Sequence, residues 1–555
     1  MSLGLFAAIG AARIASTYRV FNHTVDEPAH LACGMEWLDR GRYAYQALHP
    51  PLPRVAAALL PRLSGARSHG EQGMIAEGRR ILYESGGYFR TLSLARAGQL
   101  PFFLLATLLV GLLARRFFGE VAGVTAAFLF TTAPPVLGHA GLATTDIAVT
   151  ATFLAAFGAL LVWLEKRTVA RSLLLGVAVA LAVMSKFSAI AFLVGFGAIL
   201  AGLSRAARSR RRAETERATG MRVLPALGIA LAALLLTIWA AYRFTFSPIG
   251  TPDLRLRPRI DRVIGQRGRL NELAYRITET PLPAGQFLRG LLQLTERNER
   301  ATPPYFLGVN RQSRPLAFFP IVLAVKTPIP ILVLAAGGAA LVARRWWTGT
   351  DPRGLAVLAA AAAVLAVAIL SRINIGTRHV LPIFPFLALL AGAAASRLLG
   401  DALTRPVAFA GAVAILTWHV AASVRAHPDY LADFNEIAGR HPERIVVDSD
   451  LDWGQDLERL SKKLRELRLE AVSIAYFGTA DLNRHGLPPH GPLRRHQRSS
   501  GWIAISLQRL KRDRERPPHD GFRWLEAYEP VTRVGKSILL YYVPANALSA
   551  PRPGP

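Results

Sequence analysis

The sequence predicts a polytopic α-helical membrane protein of about eleven transmembrane helices with a small C-terminal extracytoplasmic α/β domain. Three observations predict it. Of the 555 residues, 52% are hydrophobic; apolar runs of bilayer length recur along the chain; and beyond residue 425 those runs shrink to strand length. A helix needs about 20 apolar residues to cross the hydrocarbon core. Such runs lie near 3–20, 95–114, 120–137, 147–164, 171–186, 187–203, 223–242, 319–342, 354–371, 379–397 and 404–424, with ends good to about 2–4 residues. The first is the weakest. It carries Arg13, whose burial at mid-span would cost about 2.5 kcal/mol or more. No basic leader precedes it, so the start is expected to omit upstream residues, and a cleaved signal peptide is disfavoured.

The short loops set the orientation. Arg115-Arg116, Lys166-Arg167-Arg171, Arg205 to Arg212, Arg344-Arg345 and Arg397-Arg405 fall on one side of an eleven-span arrangement, and basic short loops mark the cytoplasm. The opposite face then receives a first outer loop, 21–93, the turns at Asp146 and Lys186, a long outer loop, 243–318, the turn 372–378 and everything past 425. The chain is expected in a bacterial cytoplasmic membrane, as a transmembrane domain 1–424 and an extracytoplasmic domain 425–555.

Charge narrows the partners. The formal charge is +29, from 66 basic and 37 acidic residues, and the long outer loop and C-terminal segment share in it. Nucleic acid is a poor partner for an outward surface, whereas anionic lipids and phosphate-bearing lipids suit it. The single cysteine, Cys33, excludes an intrachain disulfide and a cysteine metal cluster.

In the C-terminal domain, RIVVDSD (444–450), AVSIAYFG (471–478), GWIAIS (501–506) and ILLYYVP (538–544) read as strands. DLERLSKKLREL between the first two has helical period, which makes a β-α-β unit. Residues 484–498 and the tail 550–555 read as loop, and no internal repeat is visible.

The chemistry concentrates in DEPAHLACGMEWLDRGRYAYQALHPPLPR, residues 26–54. Asp26 and Glu27 follow the first span, where a partly desolvated carboxylate can serve as a general base while its neighbour binds a cation. An acidic pair after a helix is ordinarily a solvated turn. Here Asp146 opens the fourth span on the same face, as a second acidic site or as a helix cap. A departing phosphate needs positive charge or donors, and His49, Lys186, Lys326, Arg378 and His379 supply them. Lys186 either snorkels or reaches a phosphate; Lys326 lies just inside its span or at its edge; Arg378 suits bidentate phosphate contact.

Together DEPAH, GRYAYQALHPPL, ATTD, SKF, VKTPIP, NIGTRHVLPIFP, HPDYLADFNE, DSDLDWGQDL and YFGTADL resemble the bacterial branch of glycosyltransferase family 39, in the GT-C superfamily. Protein O-mannosyltransferases and the lipid A aminoarabinose transferase belong to it. The resemblance runs from about residue 20 to 510; the acidic pair with HPPL is its most specific part. It implies a GT-C fold and inverting transfer of a sugar from a polyprenyl-phosphate donor to an acceptor hydroxyl on a glycan, lipid or protein. Asp26 would be the base or acceptor-orienting carboxylate, Asp146 the second acid, and Glu27 a support for Asp26. A divalent metal, if used, would sit at Glu27 or His30, His30 being otherwise structural. His49 occupies a position that is lysine in the aminoarabinose branch, where it contacts the carrier phosphate, and histidine in the O-mannosyltransferases, so the aminoarabinose specificity is not carried over.

Two rivals remain. Asp448-Ser449-Asp450 resembles the DxD element of nucleotide-sugar transferases, but the domain is too small; Trp453 and Arg459 stand where a calcium loop needs glycine and glutamate, leaving a structural or acceptor-contact role. A membrane transporter or lipid flippase predicts mid-bilayer charges and repeats, whereas the charges here gather at one face.

Overall fold

The computed structural model describes residues 2–210, 219–250, 261, 265, 268–349, 353–400, 404–512 and 520–548. The expected loop 205–212 falls partly, and the tail 550–555 wholly, outside them. Among the described residues, six helical segments have the length and apolarity to cross a bilayer, and a seventh crossing is a bent pair, Glu120–Thr132 with Pro134–Ala140, turned by 61°. Four more helices, Ser2–Ala15, Val169–Ser185, Ser188–Leu203 and Leu355–Leu370, are apolar but shorter. Each expected span thus has a helical counterpart, but not every counterpart is of full bilayer length. At 1.5 Å per residue a 17-residue helix reaches only about 25 Å.

The helices that build the site are α1 (Ser2–Ala15), α2 (Glu27–Arg40), α3 (Leu52–Leu63), α4 (Met74–Glu84), α5 (Tyr88–Ala97), α6 (Leu100–Phe118), α7 (Glu120–Thr132), α8 (Pro134–Ala140), α9 (Asp146–Glu165) and α10 (Val169–Ser185). There follow α11 (Ser188–Arg210), α12 (Val223–Ala241), α13 (Arg269–Glu279), α14 (Gly285–Glu299), α15 (Phe318–Lys326), α16 (Ile329–Trp347), α17 (Leu355–Leu370), α18 (Thr377–Val380), α19 (Phe384–Leu399) and α20 (Pro406–Arg425). The central core joins Phe153, Phe157, Phe192, Phe196 and Phe386 in edge and tilted ring contacts. These large rings lock α9, α11 and α19 into one body.

Four expectations change, one of them being that 484–498, expected as loop, contains a short strand, His490–Pro492, paired with Val472–Ile474. The run 319–342 is not one span: α15 ends at Lys326, and α16 begins after Thr327-Pro328, because proline at the break cannot donate to the preceding turn. Arg13 is not stranded at mid-span. It lies in the last turn of α1, and its guanidinium donates to the Tyr430 hydroxyl at 3.0 Å, the Ser423 hydroxyl at 2.8 Å and the Ser423 carbonyl at 2.6 Å. Residues 444–450 form no strand; a 3-10 turn at Pro442–Arg444 leads to a short helix, α21 (Asp448–Leu451). Val446 joins the membrane core and Val447 packs with Tyr305 and Leu451, so the run is used up as a buried link.

The sheet of the C-terminal domain therefore starts later. Its strands are β1 (Val472–Ala475), β2 (His490–Pro492), β3 (Gly501–Ser506), β4 (Thr532–Val534) and β5 (Ile538–Val543), in the order β4-β5-β3-β1-β2. β1 runs parallel to β2 and β3, whereas β5 is antiparallel to β3 and β4. Helix α22 (Leu457–Glu466) buries Leu457, Leu460 and Leu464 against it, an i, i+3, i+7 stripe that suits one apolar face. Residues 427–457 belong to neither half alone, since the Asn435 backbone N–H donates to the Val325 carbonyl at 2.9 Å and its side chain to the carbonyls of Ala324 and Thr327.

Segment 21–93 folds as a helical cap whose close crossings depend on missing side chains. A Cβ on Gly34 would collide with the Arg54 carbonyl, and one on Gly78 with the Pro28 carbonyl. Backbone cannot yield there as a flexible side chain would. Gly34→Val is expected to cost about 1–3 kcal/mol or more, read as a lowered thermal midpoint in detergent and loss of monodisperse protein. Gly197→Ala, which faces open space, should leave both unchanged.

Candidate active site

The acidic pair sits at the start of α2, where Pro28 in the first turn loses no helical hydrogen bond. Asp26 is the N-cap residue, yet its carboxylate makes no capping bond. Oδ2 instead accepts from Arg378 Nη1 at 2.7 Å. The Asp26 side chain keeps 34% of its surface open, so it can still meet a second molecule. Burial works against its ionised form, but Arg378 and, next, His30 hold the carboxyl below its usual range.

Glu27 turns the other way. Its carboxylate accepts from Arg96 Nε and Nη2 at 2.8 and 2.9 Å, from the Ala143 N–H at 2.9 Å and from the Thr24 N–H at 2.8 Å. Both side chains are 1% exposed. Such a bidentate, backbone-satisfied pair is structural. Glu27 therefore neither supports Asp26 nor offers a lone pair to a metal, correcting both expectations. His30 is engaged as well: its Nδ1 accepts from Arg54 Nε at 3.0 Å. Among the described residues no group of three histidine, cysteine or carboxylate side chains is placed to hold a metal ion.

Asp146 opens α9 without capping it. Its Oδ1 accepts from Lys186 Nζ at 2.8 Å and its Oδ2 from the Thr144 hydroxyl at 3.0 Å. Lys186 is buried at the end of α10, so it does not snorkel to water. The two ion pairs, Asp26–Arg378 and Asp146–Lys186, thus come from opposite ends of the sequence. Their cations line one cavity, together with His49, His379 and Arg297. Four of the five expected phosphate contacts converge there. Burial, then the neighbouring charges of Arg54, His30, Lys186 and Arg297, push His49 well below its usual value, which keeps it neutral until an anion arrives. His379 Nε2 and Arg378 Nε are buried donors or acceptors with no partner among the described residues. Buried polar atoms of that kind call for a ligand or water.

The fifth contact fails. Lys326 Nζ donates to the carbonyls of Leu431, Asp433 and Asp450 at 2.8, 2.6 and 2.9 Å and lies 4.1 Å over the Phe434 ring. All three ammonium protons are spent on backbone, so Lys326 ties residues 431–450 to α15 instead of meeting a phosphate. The DxD-like acids are engaged too: Asp448 pairs with Arg512 at 3.1 Å, and Asp450 accepts from the Thr377 N–H at 2.9 Å.

Several residues escaped the sequence. Arg297, on α14, joins the cavity wall, but in TERNER nothing distinguishes it from other loop arginines. Arg54 closes HPPLPR and donates to His30, the Tyr43 hydroxyl and the Gln46 carbonyl; its place beside the Pro-Pro turn was the available signal. His139, buried with Nδ1 unpartnered among the described residues, faces Trp453 at 6.4 Å between ring centroids.

Residues 94–239, which carry Asp146 and Lys186, match the family described as dolichyl-phosphate-mannose-protein mannosyltransferase. Among solved structures, the oligosaccharyltransferase of Archaeoglobus fulgidus tethered to an acceptor peptide aligns over 98% of this chain and 75% of its own, at 13% identity and a TM-score of 0.50. The same enzyme in its apo form aligns over 76% of this chain, which spans 55% of that enzyme's length, at 16% identity and a TM-score of 0.47. ArnT from Cupriavidus metallidurans bound to undecaprenyl phosphate aligns over 97% of both chains, at 12% identity and a TM-score of 0.44. Comparison with curated protein sequences yields no match. The class that follows is a multi-pass membrane protein with the GT-C glycosyltransferase fold and a C-terminal sheet domain.

Opposite behaviour is expected of the two adjacent acids. Glu27→Ala leaves Arg96 buried and uncompensated, a loss of about 3–5 kcal/mol that differential scanning fluorimetry in detergent would register, whereas Asp26→Asn should keep the thermal midpoint near that of the parent. Acid should destabilise the cap. Burial lowers His23 and His30 to about 3, so between that value and about 6.5 the unfolded chain binds more protons than the native one. Stability is complete above about pH 6.5 and falls as the pH drops, by up to about 1.4 kcal/mol per unit for each histidine. Thermal midpoints from pH 7.5 to 4.5 check this, with a shallower slope expected for His23→Phe.

Proposed function

We propose that this chain is an inverting glycosyltransferase that moves a sugar from a polyprenyl-phosphate carrier to an acceptor hydroxyl at the outer face of a bacterial cytoplasmic membrane. One observation carries the reading: Arg378 reaches both Asp26, the open carboxylate, and the cavity lined by Lys186, His49 and His379. A base and a cationic phosphate site therefore share one residue, as the two ends of a transfer reaction require.

The chemistry follows from that sharing. The carrier phosphate enters the cationic wall, where Lys186 and Arg378 carry the charge and His49 and His379 can donate once aligned. Each phosphate contact draws Arg378 from Asp26. The freed carboxylate accepts the proton of the acceptor hydroxyl as its oxygen attacks the anomeric carbon from the face opposite the phosphate. The bond from that carbon to the phosphate oxygen breaks, its electron pair stays with the carrier, and the positive wall stabilises the growing charge. Asp146 keeps Lys186 charged and aimed while remaining closed to the acceptor, since its side chain is 2% exposed.

Three facts support the donor class. The family matched by residues 94–239 is named for a polyprenyl-phosphate sugar. The fold is shared with a glycan-transferring enzyme. Basic loops lie at the end of the bundle away from the site, where Arg115 pairs with Glu120 and Arg116 with Glu165, an arrangement that agrees with a cytoplasmic basic side. An apolar groove among α9, α10, α11 and α12, lined by Leu160, Val179, Leu193 and Leu231, offers an isoprenoid tail a dry wall deeper along the helices that carry Asp146 and Lys186 at their ends.

Purified protein given polyprenyl-phosphate mannose with a radiolabelled sugar should transfer the label to acceptor or water and release the carrier phosphate. Asp26→Asn should lower that rate at least about a hundredfold, the lower range for a lost general base, while leaving carrier binding intact. Arg378→Gln and Lys186→Gln should weaken carrier binding as well. Normal transfer by Asp26→Asn would overturn the assignment of the base.

A further inference from the structure

The mechanism leaves the C-terminal domain without a task, although the acidic turn DSDLDWGQD is among the most thoroughly bonded segments of the chain. Its side chains divide by direction. Asp448, Asp452 and Asp456 face the sheet domain. Asp448 pairs with Arg512, and Asp452 Oδ2 accepts from the Gln508 N–H at 2.8 Å. Asp456 Oδ2 accepts from the N–H groups of Lys536 and Ser537 at 3.0 and 3.1 Å and from the Ser537 hydroxyl at 2.8 Å. Ser449, Asp450 and Trp453 face the membrane domain.

What they touch there is Arg378 and the residues beside it and beside Asp26. The Ser449 hydroxyl donates to the Ile375 carbonyl at 2.7 Å, and Asp450 Oδ1 accepts from the Thr377 N–H at 2.9 Å, so the turn brackets the loop that delivers Arg378. Gly376 lies between them at φ +77, where a Cβ would strike the Asp450 carboxylate. The Trp453 ring lies under Arg378, 4.4 Å from the guanidinium carbon to the ring centroid. The Trp453 carbonyl accepts from the N–H of Val25 at 3.1 Å, one residue before Asp26. Asn22 closes the other side, donating to the Gly454 carbonyl at 2.7 Å and accepting from the Leu457 N–H at 2.8 Å.

We infer that residues 449–457 form a clamp through which the C-terminal domain positions Asp26 and Arg378 against each other. Trp453 is its central positioning residue, presenting an aromatic face on which the guanidinium swings between carboxylate and phosphate. A planar ring supports a cation without competing for its N–H groups, which stay available for the two anions. A hydrogen-bonding side chain in that place would hold Arg378 in one position. The inference rests on the reading of Arg378 as a carrier-phosphate contact, and it makes the extracytoplasmic domain a working part of the site.

The test measures binding of undecaprenyl phosphate to the purified full-length protein in detergent, by native mass spectrometry, for single and paired variants. Trp453→Phe keeps an aromatic face and should bind within about twofold of the parent. Trp453→Leu keeps apolar bulk without that face and should bind roughly three- to tenfold more weakly. In an Arg378→Gln background the Trp453→Leu change should do nothing further, because a residue acting through Arg378 has no effect once the guanidinium is gone. Lys186→Gln reports on the phosphate site alone. If Lys186→Gln and Arg378→Gln both leave binding unchanged, the phosphate reading falls. If they weaken it while Trp453→Leu binds normally, or adds its full loss to Arg378→Gln, the clamp is wrong. Should Trp453→Leu yield no monodisperse protein, Ser449→Ala carries the same cycle, with coupling to Arg378 supporting the clamp and full additivity overturning it.

Discussion

The buried Glu27–Arg96 pair is the interaction on which the site depends. It sits at the meeting point of α2, α5 and the turn before α9, because Glu27 also accepts from the Ala143 N–H and Arg96 donates to the carbonyls of Tyr18, Phe21 and Asn22. One carboxylate thereby fixes the exit from α1, the start of α2 and the approach to Asp146. Asp26 has its orientation as a consequence. With Glu27 turned inward, its neighbour on the helix start must turn outward, to Arg378. An isolated buried charge would be prohibitively costly, but here every oxygen is matched by a donor, so the pair persists as a hub.

Charge pairing of a different kind runs through the cavity. Asp146–Lys186 is closed, with both partners nearly inaccessible, whereas Asp26–Arg378 is open on the carboxylate side. That asymmetry separates the roles of two aspartates that look equivalent in the sequence. It also leaves Arg378 with hydrogen-bonding capacity to spare: its Nη1 is on Asp26, its Nε is unpartnered among the described residues, and the Trp453 ring lies against its plane. A guanidinium can exchange one anion for another without changing its own charge, which lysine on a flexible stem does less selectively.

The apolar periodicity located the helices because burial in hydrocarbon leaves a compositional mark that needs no tertiary information. It overextended the runs at 3–20 and 319–342, where a turn or proline interrupts the helix while the residues stay apolar. It also misread 444–450, since two valines in a buried link carry the same signal as two valines in a strand. Motif reading singled out Asp26, Asp146, His49, Lys186, Arg378 and His379, which the fold gathers at or beside one cavity, because an ionisable side chain beside an apolar run stands out. Lys326 stood out equally and serves three carbonyls, because a cation's partners lie in segments a hundred residues away.

The sequence by itself determined a multi-pass helical bundle, three of the five sheet strands beyond residue 470 and the ionisable groups that stand at helix ends, all consequences of local hydropathy and charge. Only the tertiary structure decided that Glu27 and Asp26 point in opposite directions, that Lys186 pairs with Asp146, that Arg297 joins the cavity wall, and that the C-terminal turn brackets the loop carrying Arg378, with Trp453 against its guanidinium. Those outcomes depend on donors and acceptors from residues 22, 96, 143, 377 and 453 meeting in space, and a pairing between such distant positions has no periodicity by which a linear chain could announce it.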